Sequence, residues 1–209
     1  MKKYELTEET INVFGKTLHR IRATRDFSNV HAGDLGGFIE NELNLSHDRD
    51  TWVYGNAWAY GEARVYGNAL VSGDARVGGN ALVSGDARVG GKALVSGNAL
   101  VYGKALVGGN AWAYGEARVS GNALVYGNAL VKGTRDIYWI SCIGSRDGTT
   151  TFFRNADNGI SVSCGCFYGT IDEFAAAVTK THGDNEHAQA YRHAIEIAKL
   201  RIKLEDAES

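Results

Sequence analysis

From Gly55 to Lys132 the chain repeats one six-residue pattern thirteen times without a break. Each unit reads Gly, then a polar residue (Asn, Asp, Glu or Lys), then Ala, a variable residue, Val, and a second variable residue. Ala holds the third position every time, and Val the fifth except at Ala59 and Ala113. Apolar residues two apart, each followed by an outward one, give the period of a short β-strand whose Ala and Val point to one side. Gly followed by a polar residue turns the corner before the next strand. Strand and corner alternating at a fixed short period predict a β-solenoid.

A second regularity sets the coil. The segment GNAWAYGEARV at 55–65 recurs verbatim at 109–119, an offset of 54 residues, or three turns of an 18-residue, three-sided coil. Trp58 then shares a column with Trp112, Tyr60 with Tyr114, and Arg64 with Arg118. One Ala and one Val column per face fill a narrow triangular core. Thirteen units give a little over four coils, a stack of roughly 20 Å at ~4.8 Å per coil.

The run VYGNAWAYGEARVYGNALVSGDARV resembles the hexapeptide-repeat, left-handed β-helix superfamily, most of all its Gly-Asn/Asp-Ala-rich polymer-forming or transferase-like members from bacteria and phage. GDLGGFIENELNLS (33–46) and TTTFFRNADNGISVSCGCFYGTIDEF (149–174) are similar to the flanks of phage-type members. The resemblance implies a left-handed, three-sided parallel β-helix, homotrimers, and a phage accessory protein working in the cytoplasm of a host cell.

The flanks read differently. Residues 1–54 form a β-rich cap: KYELT and KTLHRIRA alternate as strands, and Leu35, Phe38, Ile39, Leu43 and Leu45 suit an irregular first coil. Such a cap is needed because an open solenoid end exposes unpaired backbone groups. Residues 134–209 form a small α+β domain. IYWISCIG (137–144) is one strand, and TTTFFR (149–154) and GISVSCGCFY (159–168) pair around Asp157-Asn158-Gly159. Thr170 and Glu173 make a capping box for a helix to about Thr181, and a second helix runs from Glu186 to about Leu204. Its buried face is Tyr191, Ile195, Ala198 and Ile202. The expected fold is thus mainly β, with the prism over 55–133.

Composition narrows the classes. The chain has 209 residues, 22 Lys+Arg against 24 Asp+Glu, 27 Gly, no Pro and three cysteines. The near-neutral charge excludes a strongly basic nucleic-acid coat protein, and the cysteines are too few for a disulfide framework. MKKYELTEET lacks the apolar core of a signal peptide, and no run is long enough to span a membrane, so the expected compartment is the cytoplasm. Seven basic residues against four acidic ones make the repeat segment net positive. Its arginines are spread over different faces with no stripe to follow a phosphate backbone, so non-specific nucleic-acid binding is not expected.

The outward positions carry the candidate chemistry. Nine of the thirteen fourth positions are Leu or Trp. Columns of Leu70, Leu82, Leu94, Leu100, Leu106, Leu124 and Leu130 predict an interface in a homotrimer, or cover by the flanks. In grooves between the prisms of an oligomer, Trp58, Tyr60, Trp112 and Tyr114, with Tyr66 and Tyr102, would meet Arg64 and Arg118 and offer stacking and guanidinium contacts suited to a small anionic, nucleotide-like ligand. Arg20 and Arg22, on one face of a strand, extend that set.

Acyl transfer, which the resemblance raises as an alternative, needs a general-base His; the repeat has none, and only His47 lies near the first coils. Cys164 and Cys166 with His182 and His187 make a weak metal pattern, because a zinc knuckle spaces its cysteines by two residues. On a strand both cysteines would instead continue the apolar stripe of Ile160 and Val162. The expectation is a non-catalytic oligomeric binding protein without metal or cofactor. It would sequester a small nucleotide-like signal, or bind a host protein as counter-defence proteins of phage do. A purely structural oligomerisation module is the other alternative.

Overall fold

A computed structural model describes residues 2–205. Thirteen two-residue strands, one per unit from Trp58–Ala59 to Leu130–Val131, stack as parallel ladders 18 residues apart on three faces. The first face carries Trp58, Arg76, Leu94, Trp112 and Leu130 at the outward position. The second carries Leu70, Arg88, Leu106 and Leu124, headed by Trp52, and the third Arg64, Leu82, Leu100 and Arg118. The coil is therefore three-sided. Every third-position Ala and fifth-position Val or Ala is at most 2% exposed.

The coils are bonded to one another at strands and corners alike. Arg64, Tyr66 and Asn68 donate their backbone N–H to the carbonyls of Ala81, Val83 and Gly85, at 2.9, 3.0 and 2.8 Å. Glycine opens each unit for two separate reasons. Gly67 has φ of +74°, and a Cβ there would lie 2.9 Å from the nitrogen of Gly85 in the next coil.

Both ends are closed. β1 (Tyr4–Val13) and β2 (Lys16–Ala23) form an antiparallel hairpin, and β3 (Leu35–Ile39) joins β2 to the first face by pairing parallel with Trp58–Ala59. Phe38, Ile39 and Leu45 fill the expected first coil, but Leu35 and Leu43 point to solvent at 52% and 71% exposure. The coil is completed instead by Trp52, whose ring packs against Tyr4 and Phe27.

At the other end, strands Ile137–Ile143, Gly148–Arg154, Ile160–Cys164 and Phe167–Thr170 form an antiparallel sheet, backed by α1 (Ile171–His182) and α2 (Glu186–Arg201). Phe153 and Ile137 join the prism core, while Phe152, Phe174, Val178 and Ile195 make the module's own. Ala129 bridges Asn155, and Leu124 N–H donates to the Thr151 hydroxyl at 3.0 Å. No helix among the described residues is long and apolar enough to cross a membrane.

Two local readings are corrected here. GISVSCGCFY is not one strand: Gly165, at φ of +58°, turns the chain between two strands. Cys166 is consequently exposed on that turn rather than in the core stripe, and Cys164 is half-buried, accepting a hydrogen bond from the Thr150 hydroxyl at 3.1 Å. The second helix stops at Arg201, with Ile202 extended as its cap.

Candidate functional site: a cleft between the prism and the C-terminal module

The repeat leaves the prism after Leu130–Val131 on the first face. Asp136 accepts from the N–H groups of Lys132 and Gly133 at 2.9 and 2.8 Å, which turns the chain into strand Ile137–Ile143. Ile137 falls where the fifth residue of a fourteenth unit would stand and is 3% exposed, so the module begins by borrowing a core position of the solenoid. Trp139 packs against the same core, close to Gly121.

This docking leaves a cleft of 320 Å³ beside the third face. Tyr102, Arg118 and Ser120 form its prism wall; Tyr138, Trp139 and Arg201 form the opposite wall. Tyr102 is 43% exposed, and both guanidinium groups are exposed. Among the described residues neither Arg118 nor Arg201 has a carboxylate partner. Two uncommitted guanidinium groups among three aromatic side chains suit an anion with a flat ring, through fork-shaped hydrogen bonds and stacking.

Of the residues expected at a ligand site, only Arg118 and Tyr102 reach this cleft. Trp58 and Trp112 lie on the first face, three coils apart, and the Arg76 guanidinium sits over the Trp58 ring at 4.4 Å. Tyr60 packs its ring over Gly78 in the next coil, and Tyr114 holds the equivalent corner three coils on. Arg64 shares the third face with Arg118 but is three coils away, beside Leu43 and Tyr66.

Arg20 is committed locally. It donates to the carbonyls of Gly36 and Gly55 at 2.9 and 3.2 Å, pairs with Glu9 at 2.8 Å and covers the Phe38 ring. Arg22 pairs with Glu5 at 3.5 Å. Within one chain these residues thus do not converge. Tyr138, Trp139 and Arg201 were the ones missed. The strand pattern of IYWISCIG places the first two on an element, but nothing in the local sequence aims Arg201, some sixty residues later, at the prism.

The leucines of the fourth positions are half-buried in the single chain. Arginines interrupt them, leaving adjacent pairs such as Leu82–Leu100 and Leu106–Leu124 in place of long columns. His47 stacks on Tyr4 at 4.2 Å and its Nδ1 accepts the Lys3 N–H at 3.3 Å. That fixes the proton on Nε2, toward the Glu42 carboxylate at 3.6 Å, and burial pushes the imidazole pKa down. His182, the last residue of α1, and His187 in α2 face each other with ring centres 5.8 Å apart; no group of three or more His, Cys, Asp or Glu placed to hold a metal occurs among the described residues.

The repeat model described as the YdcK beta solenoid repeat matches residues 63–79, 75–91, 93–109 and 117–133. The prism is a β-solenoid repeat array. Those matches stop at the end of the solenoid, so the cleft combines matched repeat residues on one wall with unmatched module residues on the other. No curated protein matches the chain.

Proposed function

We propose that this β-solenoid protein is a non-catalytic binder of a small planar anion of the nucleotide class, held in the cleft between the prism and the C-terminal module. The carrying observation is the convergence of Arg118 and Arg201 on Tyr102, Tyr138 and Trp139. Each wall supplies one cation and at least one aromatic ring, so a bound ligand would tie the module to the prism. Binding rather than turnover is the reading because His47, which stacks on Tyr4 and accepts the Lys3 N–H, lies outside this cleft. The exposed parts of Leu82 with Leu100 and Leu106 with Leu124 give each of two faces a small apolar patch, consistent with assembly into the homotrimer expected from the sequence.

The test is native mass spectrometry of protein purified from cells, followed by calorimetric titration with mononucleotides and cyclic dinucleotides. A trimer carrying a small anionic mass that is lost on denaturation supports the reading. Arg118→Ala and Arg201→Ala should each weaken nucleotide binding by at least about tenfold, the loss of one charged hydrogen-bond pair. No nucleotide affinity in the intact protein, or affinity untouched by both variants, overturns it.

A further inference from the structure

The duplicated motif GNAWAYGEARV has a structural consequence separate from the cleft. It places Trp58 and Trp112 on the same face, three coils apart, or about 14 Å at the interstrand spacing. Between them lies a depression of 390 Å³, open along the stack of coils. Trp112 is 50% exposed, against 1% for Trp52. The Arg76 guanidinium lies over the Trp58 ring, 4.4 Å from its centre, and Arg76 is exposed with no carboxylate partner among the described residues, so it remains open to an anion.

The border of this depression differs from the other two corners of the prism in its side-chain bonding. At one corner Asn68 donates to Asp86, and at another Asn80 donates to Asn98 and Asn98 to Glu116, at 2.9, 3.0 and 2.7 Å. Among the described residues Glu62, Lys104 and Asn122 of the same rows make no such bond. The row beside the tryptophans is Asn56, Asp74 and Lys92, one per coil, and among the described residues these three make no side-chain hydrogen bond with one another. A row of solvent-facing donors and acceptors, parallel to a shelf with an aromatic ring at each end, suits an extended ligand. That ligand needs apolar ring faces on one side and hydroxyl or carboxylate groups on the other.

We propose that this face binds a linear acidic polysaccharide, lying along the stack of coils with sugar rings against Trp112 and the Trp58–Arg76 pair. One pyranose ring and its linkage advance by about one coil, so polar groups would recur in step with Asn56, Asp74 and Lys92. Two cations against one carboxylate favour uronate over neutral sugar. A single-stranded nucleic acid fits less well: it needs a continuous positive track and closely successive stacking platforms, whereas this face has two cations, an intervening acid and aromatics three coils apart.

Affinity electrophoresis in gels cast with sodium alginate, dextran or no polymer, in the presence of EDTA, tests this on the full chain. A thymidine oligonucleotide is titrated in parallel, with tryptophan fluorescence as readout. Alginate should retard the protein and dextran should not, and added salt should weaken the effect. Trp112→Ala and Arg76→Gln should each raise the apparent Kd for alginate about tenfold, the scale of one stacking or charged contact. Unchanged circular dichroism and melting of these surface variants secures the comparison, and Arg118→Ala, in the separate cleft, should leave alginate binding intact. Absence of retardation, equal retardation by dextran, indifference to Trp112→Ala, or tighter binding of the oligonucleotide would each overturn the proposal.

Discussion

The side-chain amide of Asn44 donates to the carbonyl of Ala63 at 2.9 Å and to that of Gly61 at the same distance. Those carbonyls belong to the first unit of the third face, where the preceding coil donates the Ser46 N–H to the Val65 carbonyl at 3.0 Å and leaves Gly61 and Ala63 to this side chain. Asn44 is fully buried, and its own Oδ1 accepts the N–H of Asn41 at 3.0 Å. One side chain therefore does what a coil strand does elsewhere in the prism. Asn44→Leu keeps the volume and removes both donors, leaving the buried carbonyl of Ala63 and the half-buried one of Gly61 unpaired. The expected loss is about 2–4 kcal/mol from the range of ~1–3 per unsatisfied group, measured by urea unfolding. A loss below about 0.5 kcal/mol, the scale of an ordinary surface change, would show that water caps this end instead.

Gly85 stands in the middle of the glycine column, with φ of +67° and Gly103 directly beyond it. A Cβ would meet both the nitrogen and the carbonyl oxygen of Gly103 at 3.0 Å. Gly85→Ala thus combines left-handed strain with crowding between coils, and should cost about 2–4 kcal/mol in urea unfolding. Gly148 has no atom within 4 Å of an added Cβ and no positive φ, so Gly148→Ala is the matched control and should be close to neutral.

The prism was legible because every unit repeats the same local solution: alternation fixes the strand, and Gly with a polar neighbour fixes the corner. The offset between Trp58 and Trp112 fits an 18-residue coil but also other multiples, and it is the six-residue period with Ala and Val inward that pointed to three sides. Turn chemistry was harder. Cys164 and Cys166 look like alternate strand positions until Gly165 takes a positive φ between them. The cleft was least legible, because Arg201 and Arg118 meet only through the docking of a module onto the last coil. The ion pairs that remove Arg20 and Arg22 from any ligand site depend equally on the partners Glu9 and Glu5, which lie across a hairpin with an irregular register.

Lys3 is fully buried under the first coil, where its ammonium donates to the carbonyls of Thr51, Arg49 and Asp48 at 2.6, 3.3 and 3.4 Å and lies 4.9 Å from the Phe27 ring centre. Burial outweighs the neighbouring Asp50 and pushes its pKa from the ordinary 10.5 down to about 8. Between those two values the unfolded chain holds a proton that the folded chain has lost, so the folded state gains stability as pH rises through the window. Below about pH 8 both states are charged and the gain is absent. Relative to Lys3→Met, the native chain should therefore become more stable from pH 8 to 10.5, by at most about 3 kcal/mol at ~1.4 kcal/mol per unit. Pairwise comparison at each pH cancels Tyr4, whose burial raises its own pKa. A flat or falling difference across that window would show that the carbonyl cage holds the ammonium charged.

Arg154 is held at the opposite end by the Glu205 carboxylate at 2.6 Å, with its side chain only 12% exposed. Glu205 also exchanges two hydrogen bonds with Asn158, its carbonyl accepting from Nδ2 at 2.8 Å and its N–H donating to Oδ1 at 2.9 Å. Asn158 turns the hairpin that Asn128 and Ala129 bind, through Asp157, Ala156 and Asn155, so the segment after α2 is clasped to the last coil through that hairpin. The hydrogen bond from Arg154 holds the Glu205 carboxyl below the usual carboxylate range. A lowered folded pKa gives stability that is complete above the ordinary carboxylate pKa and disappears as pH falls through the folded value. Glu205→Gln should therefore melt earlier than the native chain at neutral pH, and the two melting curves should converge at strongly acid pH. Removing the carboxylate leaves the half of the pair that is nearly buried, and Arg154 then has to find solvent by loosening the clasp. Hydrogen exchange should report this as faster exchange at Asn155, Ala156 and Gly159 in the variant, with the mid-prism amides of Leu94 and Leu100 unchanged. Uniform acceleration across prism and module would mean instead that the pair stabilises the whole chain as one cooperative unit.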